Sequence, residues 1–234
     1  MKRQNVENTL ITFEEPKSQI SEAFRTLRTN IQFASIGNDV KVILVTSSCM
    51  GEGKSTISSN LATVFAQQQK KVLLIDADMR RGRLHDIFGI STKNGLSNYL
   101  ADMDWNEKTL INVTNIPNLY LISSGNIPPN PSELLSSDRM VDFINQCKSK
   151  FDVVILDGPP CLVVADGLIL ARFADITLLV SAYNETHKEE LKSTKKAIEN
   201  VGGKIGGVIL NKVDVSPHSY SHYGYYGYYA KEGK

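Results

Sequence analysis

Val42-Ile-Leu-Val-Thr-Ser-Ser-Cys-Met-Gly-Glu-Gly-Lys-Ser-Thr56 is the stretch on which the reading of this chain turns. An apolar, β-branched run passes into a short glycine-containing loop and then into a helix start. Gly51 and Gly53 let the loop's backbone N–H groups converge on one point, and the helix N-terminus adds the positive end of its dipole. The second half, Gly51-Glu-Gly-Lys-Ser-Thr56, fits a P-loop. Lys54 is then expected to reach the β- and γ-phosphates of a nucleotide and Ser55 to hold Mg2+. Ser48, Gly51, Glu52, Gly53 and Thr56 complete the expected cradle. Ser48 stands where the pattern has its first glycine. A glycine-rich turn before an ordinary helix is the alternative. The strand, loop and helix in one context weigh against it.

Working outward, Lys71-Val-Leu-Leu-Ile-Asp-Ala-Asp-Met-Arg80 is an apolar run that ends in Asp76 and Asp78, with Arg80 beyond. Residues 76, 78 and 80 point to one side of an extended segment. Asp152-Val-Val-Ile-Leu-Asp157-Gly-Pro-Pro160 supplies a third strand-end carboxylate. Such ends are where ligands bind in open α/β sheets. A carboxylate like Asp157 typically orients Mg2+ or its water shell. Each aspartate alone reads as a turn or helix cap. Three beside a P-loop read as a site.

Further apolar runs recur at Asn118–Ile122, Ile176–Ser181 and Ile205–Leu210, with helical patterns between most of them. Ile57, Leu61, Val64 and Phe65 share one helix face; so do Leu134, Met140, Val141 and Ile144, and later Leu191, Ile198 and Val201. Near-continuous apolar strands alternating with helices predict an α/β fold with a mostly parallel sheet covered on both faces. Ile20, Ala23, Phe24, Leu27 and Ile31 predict an amphipathic helix ahead of it, starting near Pro16 and Ser18. The expected organisation is an N-terminal arm over 1–17, one nucleotide-binding domain over 18–215 and a flexible tail over 216–234.

At 234 residues with 41% hydrophobic and 22% charged content, the chain is an ordinary globular one. A net charge of +1 argues against a nucleic-acid partner and against direct membrane adhesion. The N-terminus lacks the apolar core of a signal peptide. The longest candidate span, Cys161 to Tyr183, is broken by Asp166, Arg172 and Asp175. Cys49, Cys147 and Cys161 form no CxxC pair, which fits a reducing cytoplasm.

Tyr220-Ser-His-Tyr-Gly-Tyr-Tyr-Gly-Tyr-Tyr229 holds six of the nine tyrosines, with no aliphatic residue between them. It cannot bury a face at helix or strand period, so a mobile arm is expected. Phosphate on each phenol would add nearly two negative charges. Composition by itself favours a blander reading, a sticky low-complexity tail.

These residues together resemble the bacterial tyrosine kinases of capsule and exopolysaccharide synthesis, and more narrowly the stand-alone kinase subunit of Gram-positive bacteria. The resemblance covers almost the whole chain: the variant P-loop Ser48–Ser55, Asp76-Ala-Asp-Met-Arg80, Ile155-Leu-Asp-Gly-Pro-Pro160, Glu22-Ala-Phe-Arg-Thr-Leu-Arg28, Pro128-Pro-Asn-Pro-Ser-Glu-Leu-Leu135 and the tyrosine cluster. It implies a P-loop NTPase fold related to partition and septum-site ATPases. It implies Mg·ATP-dependent autophosphorylation in trans of Tyr220, Tyr223, Tyr225, Tyr226, Tyr228 and Tyr229. Asp76 would be the base for the phenol, Asp78 and Asp157 would serve the Mg2+ shell, and Arg80 and Asn211 would lie on the nucleotide. Glu22, Arg25 and Arg28 would mediate a ring-like homo-oligomer; spacing alone reads them as a solvated, salt-bridged face. A separate transmembrane activator, or polysaccharide co-polymerase, would recruit the cytoplasmic chain to the inner face of the membrane. A cognate phosphotyrosine phosphatase and substrates such as sugar-nucleotide enzymes complete the implied partners. The chain departs from many relatives at Met50 and Gly82, where they carry proline, and has Cys49 where the partition and septum-site ATPases carry their signature lysine.

Two other readings share these motifs. A partition-type nucleotide switch would phosphorylate nothing; it gives no reason for the tail. A GTPase would use Asn211-Lys-Val-Asp214 as a guanine reader, which is read here as an adenine-side loop. A eukaryotic-type kinase is excluded by the lack of HRD and DFG elements. His218 and His222 are assigned no metal, Cys49 serves as loop filler or as a redox group, and the Asp102–Lys108 connection around Trp105 has no assigned role.

Overall fold

The computed structural model describes residues 10–34, 40–91, 94–101 and 107–213. Among these, seven strands form one sheet: β1 (Val42–Ser47), β2 (Val72–Asp76), β3 (Asn112–Val113), β4 (Leu119–Ile122), β5 (Val153–Asp157), β6 (Ile176–Ala182) and β7 (Ile205–Asn211). Their order across the sheet is β3-β4-β2-β5-β1-β6-β7. Every pairing is parallel except the short β3–β4 pair at one edge.

The helices are α1 (Ile11–Glu14), α2 (Gln19–Ala34), α3 (Lys54–Ala66), α4 (Leu84–Phe88), α5 (Leu96–Ala101), α6 (Glu107–Leu110), α7 (Pro131–Leu135), α8 (Asp138–Lys150), α9 (Asp166–Ala171) and α10 (Lys188–Asn200). Each central strand is buried along its full length, which is why its sequence runs apolar without alternation. Two apolar layers result. Residues of α5, α8 and α9 with Ile198 of α10 cover one face. Residues of α1, α2 and α3 cover the other.

The six apolar runs each became a strand within a residue or two of the expected ends. β3 carries only two residues, and exposed Val113 offers no period to read. Three residues assigned to buried faces are instead exposed: Ile20, Ala23 and Val141. The folded body also starts before residue 18. Thr12 is fully buried; its N–H and Oγ1 both donate to Asn60 Oδ1, at 3.0 and 2.9 Å, and Gln67 Nε2 donates to its carbonyl at 2.9 Å. Among the described residues no helix is long and apolar enough to cross a membrane.

Candidate active site

The three central strands bring the chemistry to one end of the sheet. β5 lies between β2 and β1, and Asp76 pairs in register with Asp157. Neighbouring parallel strands lie about 4.8 Å apart, so the two carboxylates stand side by side. Both are buried to about 1% exposure or less. Burial first, and Asp157's charge second, lift Asp76 well above the usual carboxylate range, against an N–H from Leu84 at 3.1 Å. Burial lifts Asp157 to about 6, opposed by hydroxyls of Ser55 and Ser58 and by the charge of Lys54. Oδ1 of each aspartate is buried without a hydrogen-bond partner. Two orphaned carboxylate oxygens cost free energy unless a cation or a donated proton meets them. The site therefore fits a bound divalent cation. Among the described residues no cluster of three or more acidic, His or Cys side chains could hold a metal by itself.

The P-loop wraps the neighbouring end of β1. Gly51 and Gly53 have φ of 80° and 92°, the left-handed region open to glycine. At Gly53 a Cβ would also collide with the Asn211 side chain. Lys54 opens α3 and is 9% exposed, with Ser55 and Thr56 half-buried behind it. Glu52 is 3% exposed and faces the protein. Its carboxylate accepts from the Cys49 N–H at 2.7 Å and from the Thr186 hydroxyl, while its carbonyl accepts from Asn211 Nδ2 at 2.9 Å. Ser48 is fully buried and its Oγ accepts from Thr194 at 2.9 Å. Thus Glu52, Ser48 and Asn211 lock the loop to β7, to α10 and to the turn before α10. Cys49 lies beside Glu190, and burial followed by that acid pushes its thiol up, the opposite of what a redox cysteine needs.

The family comparison agrees with this geometry. Residues 40–205 match the family described as AAA domain. "Tyrosine-protein kinase YwqD" of Bacillus subtilis (strain 168) is 44% identical over 93% of this chain and 92% of its own length. The chain belongs to the bacterial protein-tyrosine kinase family. "Tyrosine-protein kinase etk" of Escherichia coli (strain K12) is 37% identical over 87% of this kinase, a match that spans 28% of that longer protein. The crystal structure of "the chimerical protein CapA2B2" superposes with a TM-score of 0.84 at 38% identity, over 91% of this kinase and 92% of that chain. The septum site-determining protein MinD from Pyrococcus horikoshii, solved with Mg-ADP, shares the fold at 22% identity and a TM-score of 0.62, over 78% of this chain and 76% of that one. The P-loop fold makes this kinase a nucleotide-binding protein.

Other expected site residues of the kinase are placed less directly. Asp78 is half-buried and its Oδ1 accepts the N–H groups of Arg80 and Arg81 at 3.2 and 3.0 Å. The Arg80 guanidinium grips Asp166, with Nε to Oδ2 at 2.7 Å, and reaches Ser132 Oγ at 3.4 Å. Gly82, one of the departures from relatives, lies against the site: a Cβ there would sit 2.7 Å from Asp76 Oδ2. In the Glu22, Arg25 and Arg28 stripe, Arg25 pairs with Glu22 at 2.5 Å and donates to the Pro16 carbonyl. Arg28 donates to the Val64 carbonyl at 2.8 Å, so it caps α3 of its own chain. Sequence reasoning missed Asp166, Thr186 and Thr194. It met Asp166 only as a charge interrupting an apolar run, and the two threonines carried no signal. The six tail tyrosines, Asp214, His218, His222 and Trp105 lie outside the described residues.

Proposed function

We propose that this kinase transfers the γ-phosphoryl group of ATP to the tyrosine cluster of a neighbouring copy, and thereby regulates synthesis and export of a capsular or extracellular polysaccharide. The observation that carries the reading is the side-by-side pair Asp76 and Asp157, each with an orphaned buried oxygen, beside Lys54. In the step, the phenol oxygen forms a bond to γ-phosphorus, the bond from γ-phosphorus to the β–γ bridging oxygen breaks, and ADP leaves. The phenol proton passes to Asp76, whose raised proton affinity suits a base for a group with a pKa near 10. Lys54 and the backbone N–H groups of Gly51–Ser55 offset charge on the transferred phosphoryl group. Ser55, Asp78 and Asp157 would hold Mg2+, which when bound neutralises phosphate charge. Gly53 and the Glu52–Thr186 lock keep the loop in its ligand-ready shape.

The tail then limits itself. Each added phosphate brings nearly two negative charges, so crowded tails repel and leave the neighbour's site. A separate transmembrane activator, a ring of copies on the Glu22 stripe, a cognate phosphatase and sugar-nucleotide enzymes as substrates complete the proposal, and the activator places the cytoplasmic chain at the inner membrane face. Two length classes among relatives support the separate activator: YwqD is matched almost end to end, and etk over about a quarter. The purified chain in Mg·ATP, mapped for phosphotyrosine, tests the reading. Lys54→Met should lose tail phosphorylation while keeping its fold, and wild-type phosphotyrosine in that variant sinks the assignment.

A further inference from the structure

We propose that Asp166 is a positioning residue for the Asp78 carboxylate, acting through Arg80 and the turn that follows it. The inference rests on the reading that Asp78 and Asp157 share one Mg2+ shell, and deepens it. Asp166 is 1% exposed at the start of α9 and makes a complete set of bonds. Oδ2 accepts Arg80 Nε at 2.7 Å, and Oδ1 accepts Arg80 Nη2 at 3.3 Å and Ser132 Oγ at 2.5 Å. A guanidinium held by a fork of this kind is fixed in direction as well as in place. Burial would raise Asp166, yet the bonds from Arg80 and Ser132 hold it below the usual carboxylate range, so it stays a charged anchor at neutral pH.

The same Arg80 that is gripped at its guanidinium presents its backbone N–H to Asp78 Oδ1, and Arg81 adds a second. Anchoring the side chain therefore sets the turn, and the turn sets the carboxylate. Asp166 is in turn tied to the Asp157 strand. A Cβ at Gly167 would come within 2.7 Å of the Pro159 carbonyl and 2.8 Å of Cys161 Sγ, so α9 docks on the Gly158–Cys161 loop with no room for a side chain there. Cys161 N–H donates to the Ser47 carbonyl at 2.9 Å and Leu162 N–H to the Ser48 carbonyl at 3.2 Å, which ties that loop to the end of β1 and the first residue of the P-loop. Asp78 stands on the β2–α4 loop, and Asp157 closes β5 just ahead of the β5–α9 loop. The Arg80–Asp166 pair is a cross-brace between them, with Ser132 of α7 as a third point. This accounts for an arginine of the phosphate-side motif whose guanidinium is committed to the protein.

The test uses the full chain and reads metal, not phosphorylation. A fluorescent ADP analogue is bound in EDTA and then titrated with Mg2+. Removing a group that orients a ligand side chain typically costs about 10–100-fold in metal affinity. Asp166→Ala and Arg80→Lys should raise the Mg2+ midpoint about 10-fold or more, and Ser132→Ala by a smaller factor in the same direction. Metal-free ADP affinity should stay within about two-fold, because the P-loop donors are untouched. An unchanged Mg2+ midpoint in Arg80→Lys and Ser132→Ala overturns the proposal, and those two variants decide it if Asp166→Ala does not fold. A loss of metal-free ADP affinity equal to the Mg2+ shift also overturns it, since that marks a structural role only. Asp78→Asn serves as the control for the underlying reading. If it leaves the midpoint unchanged, the shared Mg2+ shell fails while the Arg80–Asp166 brace remains.

Discussion

Asp157→Asn should stabilise the ligand-free protein while abolishing its response to Mg2+. The side chain is fully buried, and burial lifts its carboxyl from 3.8 to about 6. A gap of about two units is about 3 kcal/mol at 1.36 kcal/mol per unit, and a group this buried has little solvent to screen it. With the native value raised above the unfolded one, that stability is fully present below about pH 4 and is lost as pH rises through about 6. At pH 7.5 the wild type carries the whole penalty. Asparagine carries no charge and keeps an oxygen for the Ser55 and Ser58 hydroxyls, but gives up the attraction to Lys54. A net gain of about 2 kcal/mol raises Tm by roughly 4–8 °C for a domain this size. Thermal unfolding in EDTA at pH 7.5 and at pH 4, and at pH 7.5 in Mg·ADP without EDTA, reads all of this. The difference between variant and wild type should shrink toward zero at pH 4. In Mg·ADP the order should reverse, because the wild type gains a bound cation and the variant does not. A lower Tm for Asp157→Asn in EDTA at pH 7.5 refutes the reasoning.

Gly53→Ala should remove nucleotide binding, because φ is 92° and the new methyl drives into the Asn211 side chain; calorimetry with ADP checks it, and wild-type affinity would show that the loop relaxes around a Cβ. Arg28→Ala should cost about 1–2 kcal/mol of stability through the lost Val64 carbonyl bond, whereas Glu22→Ala should cost under about 0.5 kcal/mol. Light scattering beside urea unfolding then separates assembly from stability: monomers from Glu22→Ala at unchanged stability support the exposed half of the stripe as the contact, and unchanged mass counts against it.

What the sequence made legible is what backbone periodicity encodes. Continuous apolar runs marked the buried parallel strands, and Asp76 and Asp157 were legible because each ends such a run. Their adjacency was not, since strand order brings together segments 81 residues apart at Asp76 and Asp157 and nothing local records it. The same limit explains Arg80. Its partner Asp166 is 86 residues away, and no spacing rule reaches that far. The short helices α4 to α7 have at most six residues each and present too few turns for a 3.6-residue period.

Ser48 and Glu52 show a further reason that a motif match under-describes a site. A P-loop binds phosphate chiefly with main-chain N–H groups, which every residue type supplies. Side chains of the loop are therefore free to serve the protein. Here Ser48 accepts from Thr194 of α10, and Glu52 turns inward to hold the Cys49 N–H, Thr186 and, through its carbonyl, Asn211. A hydroxyl where the pattern has glycine is thus no defect in the cradle. It is a bond from the loop to α10 that glycine could not make, and it fixes the backbone whose N–H groups do the binding.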